Sequence, residues 1–399
     1  MHIALWSPGW PVEKYQNGIV TYVHSMKQEL EGLGHRVSVF TARKDAAVTD
    51  PHVHLVRHGA WGRFARRVAG PMFSVERGIA DFGRVAAAAM LAVHRREPID
   101  IIEMEESFGW AADVGRLTSI PVLVKLHGPA FLSLVENEAS TPVGAGRVDR
   151  EGRALAVAAA IASPSALTLA QTVDRYRLTP RITQRIVNPL DMGAQAPIWR
   201  LDGCDPNTIL FVGRFDRRKG ADVMLQAFEI LLRQRPQLKL IFVGPDPGLL
   251  LPDGSRTHFE PYLSTLLPAG LRSRVEYRGR MANQEIARLR VEAMTTVLAS
   301  RWENQGYAAL EAMFQGCPLV CTDADACQEI VSHGVNGRLA RSENPASFAA
   351  EIAAMLDDPV RASQMGAAAR KYVLEHHAAR KVANEALDLY RRVIANARA

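Results

Sequence analysis

The chain has 399 residues, 48% hydrophobic, 23% charged and 7% aromatic, with a formal net charge of +6. At about 150 residues per domain this is roughly 2.7 units, room for two large domains whose cores need neither disulfides nor a structural metal. The composition excludes disordered, collagen-like and coiled-coil proteins; no apolar run of about 18 residues suggests a membrane span, and Met1-His2-Ile3-Ala4-Leu5-Trp6 followed by Ser7-Pro8-Gly9 carries no signal-peptide pattern, so a soluble, cytoplasmic chain is expected.

Short apolar runs alternate with longer helical patterns, the signature of parallel sheets covered by helices. In the first half strands are predicted at Ile3–Trp6, Val37–Thr41, Ile99–Glu103, Val122–Leu126 and Ala159–Ser163, with a helix over Ile19–Glu31 closed by Gly32 and Gly34. Pro189, Gly193, Pro197, Gly203 and Pro206 crowd a stretch of little periodicity, which reads as a linker. The second half repeats the pattern, with strands predicted at Ile209–Val212, Leu238–Val243, Val275–Arg278, Thr296–Ala299 and Leu319–Thr322. Helices are predicted from about Pro345 to Leu356 and from about Arg361 to the end. The expected organisation is α/β, with one doubly wound domain over 1–190, a linker over 191–207, a second such domain over 208–375, and a C-terminal helix over 376–399 that crosses back to the first. Open parallel sheets bind ligands beyond the carboxyl ends of their strands, so a cleft where two such edges face each other is the expected site.

Some signals are set aside. Cys317, Cys321 and Cys327 with His333 match no zinc spacing, and together with Cys204 they read as reduced, structural residues. A pI near 9.2, with arginine outnumbering lysine, favours anionic partners. Too few aromatics interleave with the basic residues for nucleic-acid binding. Asp323-Ala324-Asp325 spells D-x-D, yet it follows a predicted strand inside the second domain and is not expected to hold a metal.

Two constellations carry chemistry. Phe211-Val212-Gly213-Arg214-Phe215-Asp216-Arg217-Arg218-Lys219-Gly220 follows a strand and precedes a helix, whose free N–H groups can receive an anion. Arg214 offers a planar fork and Lys219 a point charge to a diphosphate; a solvated basic turn is the equal alternative. The segment is no Walker loop, and no G-x-G-x-x-G follows the first strand, which counts against nicotinamide or flavin. The second constellation is Trp302-Glu303-Asn304-Gln305-Gly306-Tyr307-Ala308-Ala309-Leu310-Glu311. On one continuous helix its two glutamates would differ by about 80° in azimuth. Gly306 suggests instead that Glu303 stands in a loop and Glu311 in the helix after it. Glu311 then suits vicinal ribose hydroxyls, while Glu303 reaches the reacting group; plain surface charge is the alternative for both.

Glu303-x7-Glu311, followed by Ala312-Met313-Phe314-Gln315-Gly316-Cys317-Pro318, resembles the E-x7-E signature of glycosyltransferase family 4, retaining enzymes that use nucleotide sugars. Other elements agree in order along nearly the whole chain. Asn17-Gly18 and Gly34-His35-Arg36-Val37 resemble the family's opening, His127-Gly128 its H-G or H-D element, Asn188-Pro189-Leu190-Asp191 its N-G-V-D, and Gly213-Arg214 with Lys219-Gly220 its G-R…K-G.

The resemblance implies a GT-B fold, two Rossmann-like parallel-sheet domains facing a central cleft, the first on the acceptor side and the second holding the nucleotide sugar. It implies that Arg214, Lys219 and Gly18 hold the donor diphosphate without a metal, that Glu311 binds the ribose, and that His127 binds a donor-sugar hydroxyl. Glu303, with Asn304, Gln305, Gly306 and Tyr307, then orients the donor sugar and meets developing oxocarbenium charge; Glu303 and His127 are the expected catalytic pair. UDP-sugar is the favoured donor and GDP-mannose the next, with a glycan, glycolipid or small-molecule hydroxyl as acceptor. A sugar-nucleotide epimerase and a non-catalytic nucleotide-sugar-binding protein are the alternatives on the same fold. Departures from the pattern at Asn17, Pro189, Asn304-Gln305 and Asp325-Ala326 bear on the donor sugar rather than on the reaction class. Trp61-Gly62-Arg63-Phe64-Ala65-Arg66-Arg67-Val68 reads either as a basic amphipathic segment for an anionic inner-membrane face, with a lipid-linked acceptor, or as a loop over the acceptor cleft.

Overall fold

The computed structural model describes residues 1–15, 17–57, 75–134, 141–190, 192–193 and 195–398, with the backbone alone for 75–80 and 325. The segment Trp61–Val68 and Asp191 lie outside the described residues. Two compact units are formed, Met1–Pro189 with Ala379–Ala399, and Leu190–Ala378.

The first unit runs β1 (His2–Ser7), α1 (Gly18–Gly32), β2 (Arg36–Thr41), β3 (Val53–Leu55), α2 (Val75–His94), β4 (Ile101–Glu105), α3 (Trp110–Thr118), β5 (Val122–Lys125), α4 (Ala130–Ser133), α5 (Pro142–Ala156), β6 (Ala160–Ser163), α6 (Ala166–Arg175) and β7 (Thr183–Arg185). The strands form one parallel sheet in the order β3-β2-β1-β4-β5-β6-β7. Its central strands are mostly apolar because both faces are covered, with Glu103, Glu105 and Lys125 as buried exceptions. Ile3, Leu5, Val37, Val39, Ile101 and Leu123 pack on one side with Tyr22, Val23 and Met26, whereas Ala4, Trp6, Phe40, Ile102, Met104 and Val124 pack on the other with Ala86, Ala87 and Met90.

The second unit runs β8 (Asp205–Val212), α7 (Ala221–Gln234), β9 (Lys239–Val243), a small hairpin β10 (Leu249–Leu250) and β11 (Arg256–Thr257), α8 (Phe259–Leu266), α9 (Ala269–Arg272), β12 (Val275–Gly279), α10 (Asn283–Glu292), β13 (Ala293–Leu298), α11 (Tyr307–Phe314), β14 (Leu319–Thr322), β15 (Arg338–Ala340), α12 (Pro345–Asp357) and α13 (Pro359–His376). Its main sheet is parallel in the order β12-β9-β8-β13-β14-β15. The last helix, α14 (Ala379–Arg398), belongs to the first unit and contributes Val382, Ala383, Ala386, Leu387, Tyr390 and Val393 to the face that α1 also covers.

Several boundaries differ from the sequence expectation for identifiable reasons. Strand β8 begins at Asp205, inside the stretch read as linker, and Trp199 is anchored upstream of it: its indole donates to Ala293 O at 2.8 Å and its amide to Gln315 O at 2.8 Å. The helix expected from Arg361 onward breaks at His377, whose carbonyl accepts the Leu190 amide at 2.8 Å. Strands β4 and β13 are displaced from the predicted Ile99–Glu103 and Thr296–Ala299 to Ile101–Glu105 and Ala293–Leu298. Among the described residues no helix is long and apolar enough to cross a membrane.

Because α14 covers one face of the first unit's sheet, truncating its core contact should be felt there. Leu387, 2% exposed, is expected to cost about 2–5 kcal/mol when changed to Ala, measured as a lower urea midpoint without a change in slope.

Candidate active site

In the second unit the winding of the sheet reverses between β8 and β13, which are hydrogen-bonded neighbours with Phe211 opposite Val297. At such a switch point the loops after the two strands leave on opposite faces and open a crevice. Those loops are residues 213–220 and 299–306, and they are packed together, with the Arg301 amide donating to Arg218 O at 2.9 Å.

The first loop is shaped by Asp216 and Gly220. One oxygen of Asp216 accepts the Lys219 amide at 2.8 Å, and the other accepts Arg214 Nε at 2.6 Å. Gly220 has φ +66°, and a Cβ there would stand 1.8 Å from Ala299 O, so only glycine lets the chain turn into α7 against the second loop. Arg301 braces that loop from below through a two-pronged pair to Asp222, at 2.8 and 2.7 Å.

These supports direct Lys219 onto Glu303. Lys219 Nζ donates to Glu303 Oε1, and Ser300 Oγ donates to the same oxygen at 2.8 Å. Glu303 is 5% exposed. Burial pushes its carboxyl up, but the charges of Lys219 and Arg218 and the two hydrogen bonds outweigh burial and hold it below the usual carboxylate value. Its other oxygen, Oε2, faces the Cα of Gly306, where a Cβ would come within 3.0 Å.

Asn304 and Gln305 are buried between Glu303 and the start of α11. Tyr307 opens that helix; among the described residues its buried hydroxyl has no hydrogen-bond partner, and burial with the nearby Glu311 charge raises its pKa. One turn on, Glu311 Oε2 accepts Arg290 Nη2 at 2.5 Å. Arg290, whose side chain is 1% exposed, reaches Gln315 Oε1 at 3.3 Å with its other nitrogen, and Gln315 is tied to Ala287 O at 2.8 Å. A buried cation thus fixes one oxygen of Glu311 from beneath.

The remaining candidates lie in the first unit. Gly18 is the exposed first residue of α1, behind Asn17, whose side chain caps the helix by accepting the Ile19 amide at 2.8 Å. His127 follows β5, and the buried carboxylate of Glu106 accepts the amides of His127 and Gly128 at 2.8 and 2.5 Å. Burial and the Lys125 charge push the His127 imidazole down to about 3, so it is neutral at physiological pH and can both donate and accept.

Sequence reasoning missed the supports of this arrangement. Asp216 and Arg218 stand in the basic turn with no role assigned and Ser300 lies outside both constellations, though an acid three residues before Lys219 and a serine three before Glu303 are local hydrogen-bonding spacings. Arg290 and Gln315 had no local signal at all. Asp323 of the D-x-D run spends Oδ1 on the Ser342 amide at 2.7 Å.

Two family descriptions match consecutive parts of the chain: Glycosyltransferase Family 4 over residues 16–193 and Glycosyl transferases group 1 over residues 202–372. A D-inositol 3-phosphate glycosyltransferase of Thermobispora bispora is 29% identical over 377 residues, covering 89% of this chain and 85% of that protein. Among solved structures, sucrose-phosphate synthase from Thermosynechococcus elongatus has a TM-score of 0.74 at 22% identity over 99% of both chains. Anabaena Alr3699/HepE, solved in complex with UDP-glucose, has a TM-score of 0.74 at 16% identity over 98% of this chain and 100% of its own. The GT-B fold expected from the sequence is the fold found.

The pairing of Lys219 with Glu303 has a pH signature. A carboxyl held below its unfolded value contributes stability that is present above the ordinary carboxylate pKa and lost as pH falls through the depressed one. Lys219→Met leaves burial to push Glu303 up instead, so the variant's loss of stability should be larger at pH 7 than at pH 4. Urea unfolding of both proteins at the two pH values checks this; an equal loss at both would show that the pair does not hold Glu303 ionised.

Proposed function

The chain belongs to glycosyltransferase family 4, and from that premise we propose that it transfers a sugar from a nucleoside-diphosphate donor to an acceptor hydroxyl with retention at the anomeric carbon. UDP-sugar is the first donor to expect and GDP-mannose the second; the acceptor is a hydroxyl of a glycan, glycolipid or small molecule. The observation that carries this reading is the junction of Lys219, Ser300 and Glu303 at the β8/β13 switch point, with Arg214 and Arg218 on the same loop.

In this reading the donor diphosphate lies against the turn 213–220. Arg214 and Lys219 neutralise the charge that grows on the departing diphosphate as the anomeric C–O bond breaks, and preorganised charge of this kind is often the largest part of catalysis. The acceptor oxygen attacks on the same face, and its proton passes to the leaving phosphate oxygen. The site so built needs no metal ion for that neutralisation. Glu303 stays anionic and orients the sugar, stabilising positive character at the anomeric carbon. Glu311, held by Arg290, turns its remaining oxygen to the ribose hydroxyls. His127, neutral, bonds a hydroxyl of the donor sugar, and Gly18 offers its amide to the diphosphate.

Thermal stabilisation by a panel of nucleotides and nucleotide sugars, with and without EDTA, tests the reading. Ligand at one hundred times its dissociation constant adds about 2.7 kcal/mol, and the shift is expected with one nucleotide series and insensitive to EDTA. Absence of a shift with every member would move the protein to a non-donor-binding role. With the donor known, Glu303→Ala is expected to lower kcat by about 10²–10³, while Glu311→Ala raises the donor KM by roughly tenfold to a hundredfold with kcat little changed. The acceptor screen begins with inositol 3-phosphate, the acceptor named for the Thermobispora relative.

A further inference from the structure

One polar side chain of α14 enters the core of the first unit. Tyr390, 0% exposed, donates its hydroxyl to Glu103 Oε2 of β4 at 2.6 Å, and Glu103 is itself 5% exposed. Tyr22 of α1 hydrogen-bonds to the same carboxylate. Lys125 of β5, 1% exposed, lies with its Nζ 5.2 Å from the centre of the Tyr22 ring and donates to Ile186 O. The Tyr22 ring meets the His127 imidazole edge-on, with centroids 5.0 Å apart at 69°.

Four large polar groups therefore lie buried among Ile3, Leu5, Ile101, Leu123 and Leu387. Apolar residues of similar size would hold such a core at least as well, because desolvating an acid and an amine costs about what their attraction returns. What the cluster does supply is direction. The backbone of His127 is fixed by Glu106, but among the described residues no hydrogen bond reaches either nitrogen of its imidazole. The ring makes its edge contact with Tyr22, whose own hydroxyl and face meet Glu103 and Lys125.

We propose that Tyr390, Glu103, Lys125 and Tyr22 form a positioning relay through which the C-terminal helix sets the orientation of the His127 imidazole. The relay rests on the reading of His127 as a contact to the donor sugar. Its members touch neither nucleotide nor acceptor in that reading, so they are positioning residues. Loosening the relay should weaken recognition of the sugar and leave recognition of the nucleoside diphosphate alone.

The test uses the full chain and two conservative variants, Tyr390→Phe, which removes one hydroxyl, and Glu103→Gln, which keeps the shape of the side chain. The imidazole resonances of His127, assigned with His127→Gln, are followed by NMR, and affinities for UDP and UDP-glucose are measured side by side, with GDP and GDP-mannose in a parallel arm. In both variants the His127 ring signals are expected to move. Affinity for the sugar nucleotide should fall about threefold to tenfold, the size of one lost hydrogen bond, while affinity for UDP or GDP stays within about twofold. Unmoved ring signals would overturn the relay, as would equal losses for nucleotide and nucleotide sugar, the mark of a merely structural role. If the ring signals move but His127→Gln binds the sugar nucleotide as tightly as the parent, the relay stands and the sugar contact assigned to His127 falls.

Discussion

The second unit is organised around one contact, the ammonium of Lys219 on the carboxylate of Glu303. It joins the two loops that leave the sheet at its switch point, and almost every unusual residue nearby serves to bring those two groups together. Asp216 fixes the amide of Lys219, Gly220 lets the chain pass under Ala299, and Arg301 ties the second loop to Asp222. The result is a buried carboxylate kept ionised by positive charge rather than by solvent. A group of that kind exerts its field in a place from which water is largely excluded, where charge acts over longer distances than at an exposed surface.

The two glutamates of the signature show how differently one unit can use the same side chain. Glu303 is held by cations of the loop it faces and stays nearly out of solvent, whereas Glu311 is anchored from underneath by Arg290 and keeps its side chain 23% exposed. One oxygen of Glu311 is committed to the protein, and the other is left for whatever approaches along the start of α11. His127 in the first unit follows a third pattern, with a fixed backbone and a neutral ring.

Much of the architecture was legible because a doubly wound sheet writes itself in long apolar runs separated by helix-length segments. The strands that escaped are short, three residues each in β3, β7 and β15 and two each in β10 and β11, too short for any period to register. Residues 293–295 escaped as strand because Ala293-Met294-Thr295 continue the preceding helix without a stop signal. The end of α13 had no proline or glycine to announce it; His377 is buried and its carbonyl is claimed by Leu190, a contact distant in sequence. At the candidate site, the positions of charged residues could be read, but not their partners. Arg290 sits in a helix of alternating charges that reads as a solvated surface, yet it is one of the largest fully buried side chains. Pairings of this kind depend on tertiary approach, which no local spacing records.

The path of the chain has a consequence for the order of its synthesis. The first unit is left at Pro189 and is rejoined only at Ala379, so the second unit is in effect an insertion before the last helix of the first. While the ribosome makes residues 190–378, the sheet face lined by Ile3, Leu5, Val37 and Leu123 still lacks Val382, Leu387 and Tyr390, which finish its cover. The second unit, contiguous in sequence, can close as soon as it emerges, whereas the first waits for the final twenty residues of the described chain, those of α14. A nascent chain stalled just before α14, with residues 190–378 already made, therefore carries a complete second unit beside a first unit with an open apolar face, the kind of surface on which chaperones act.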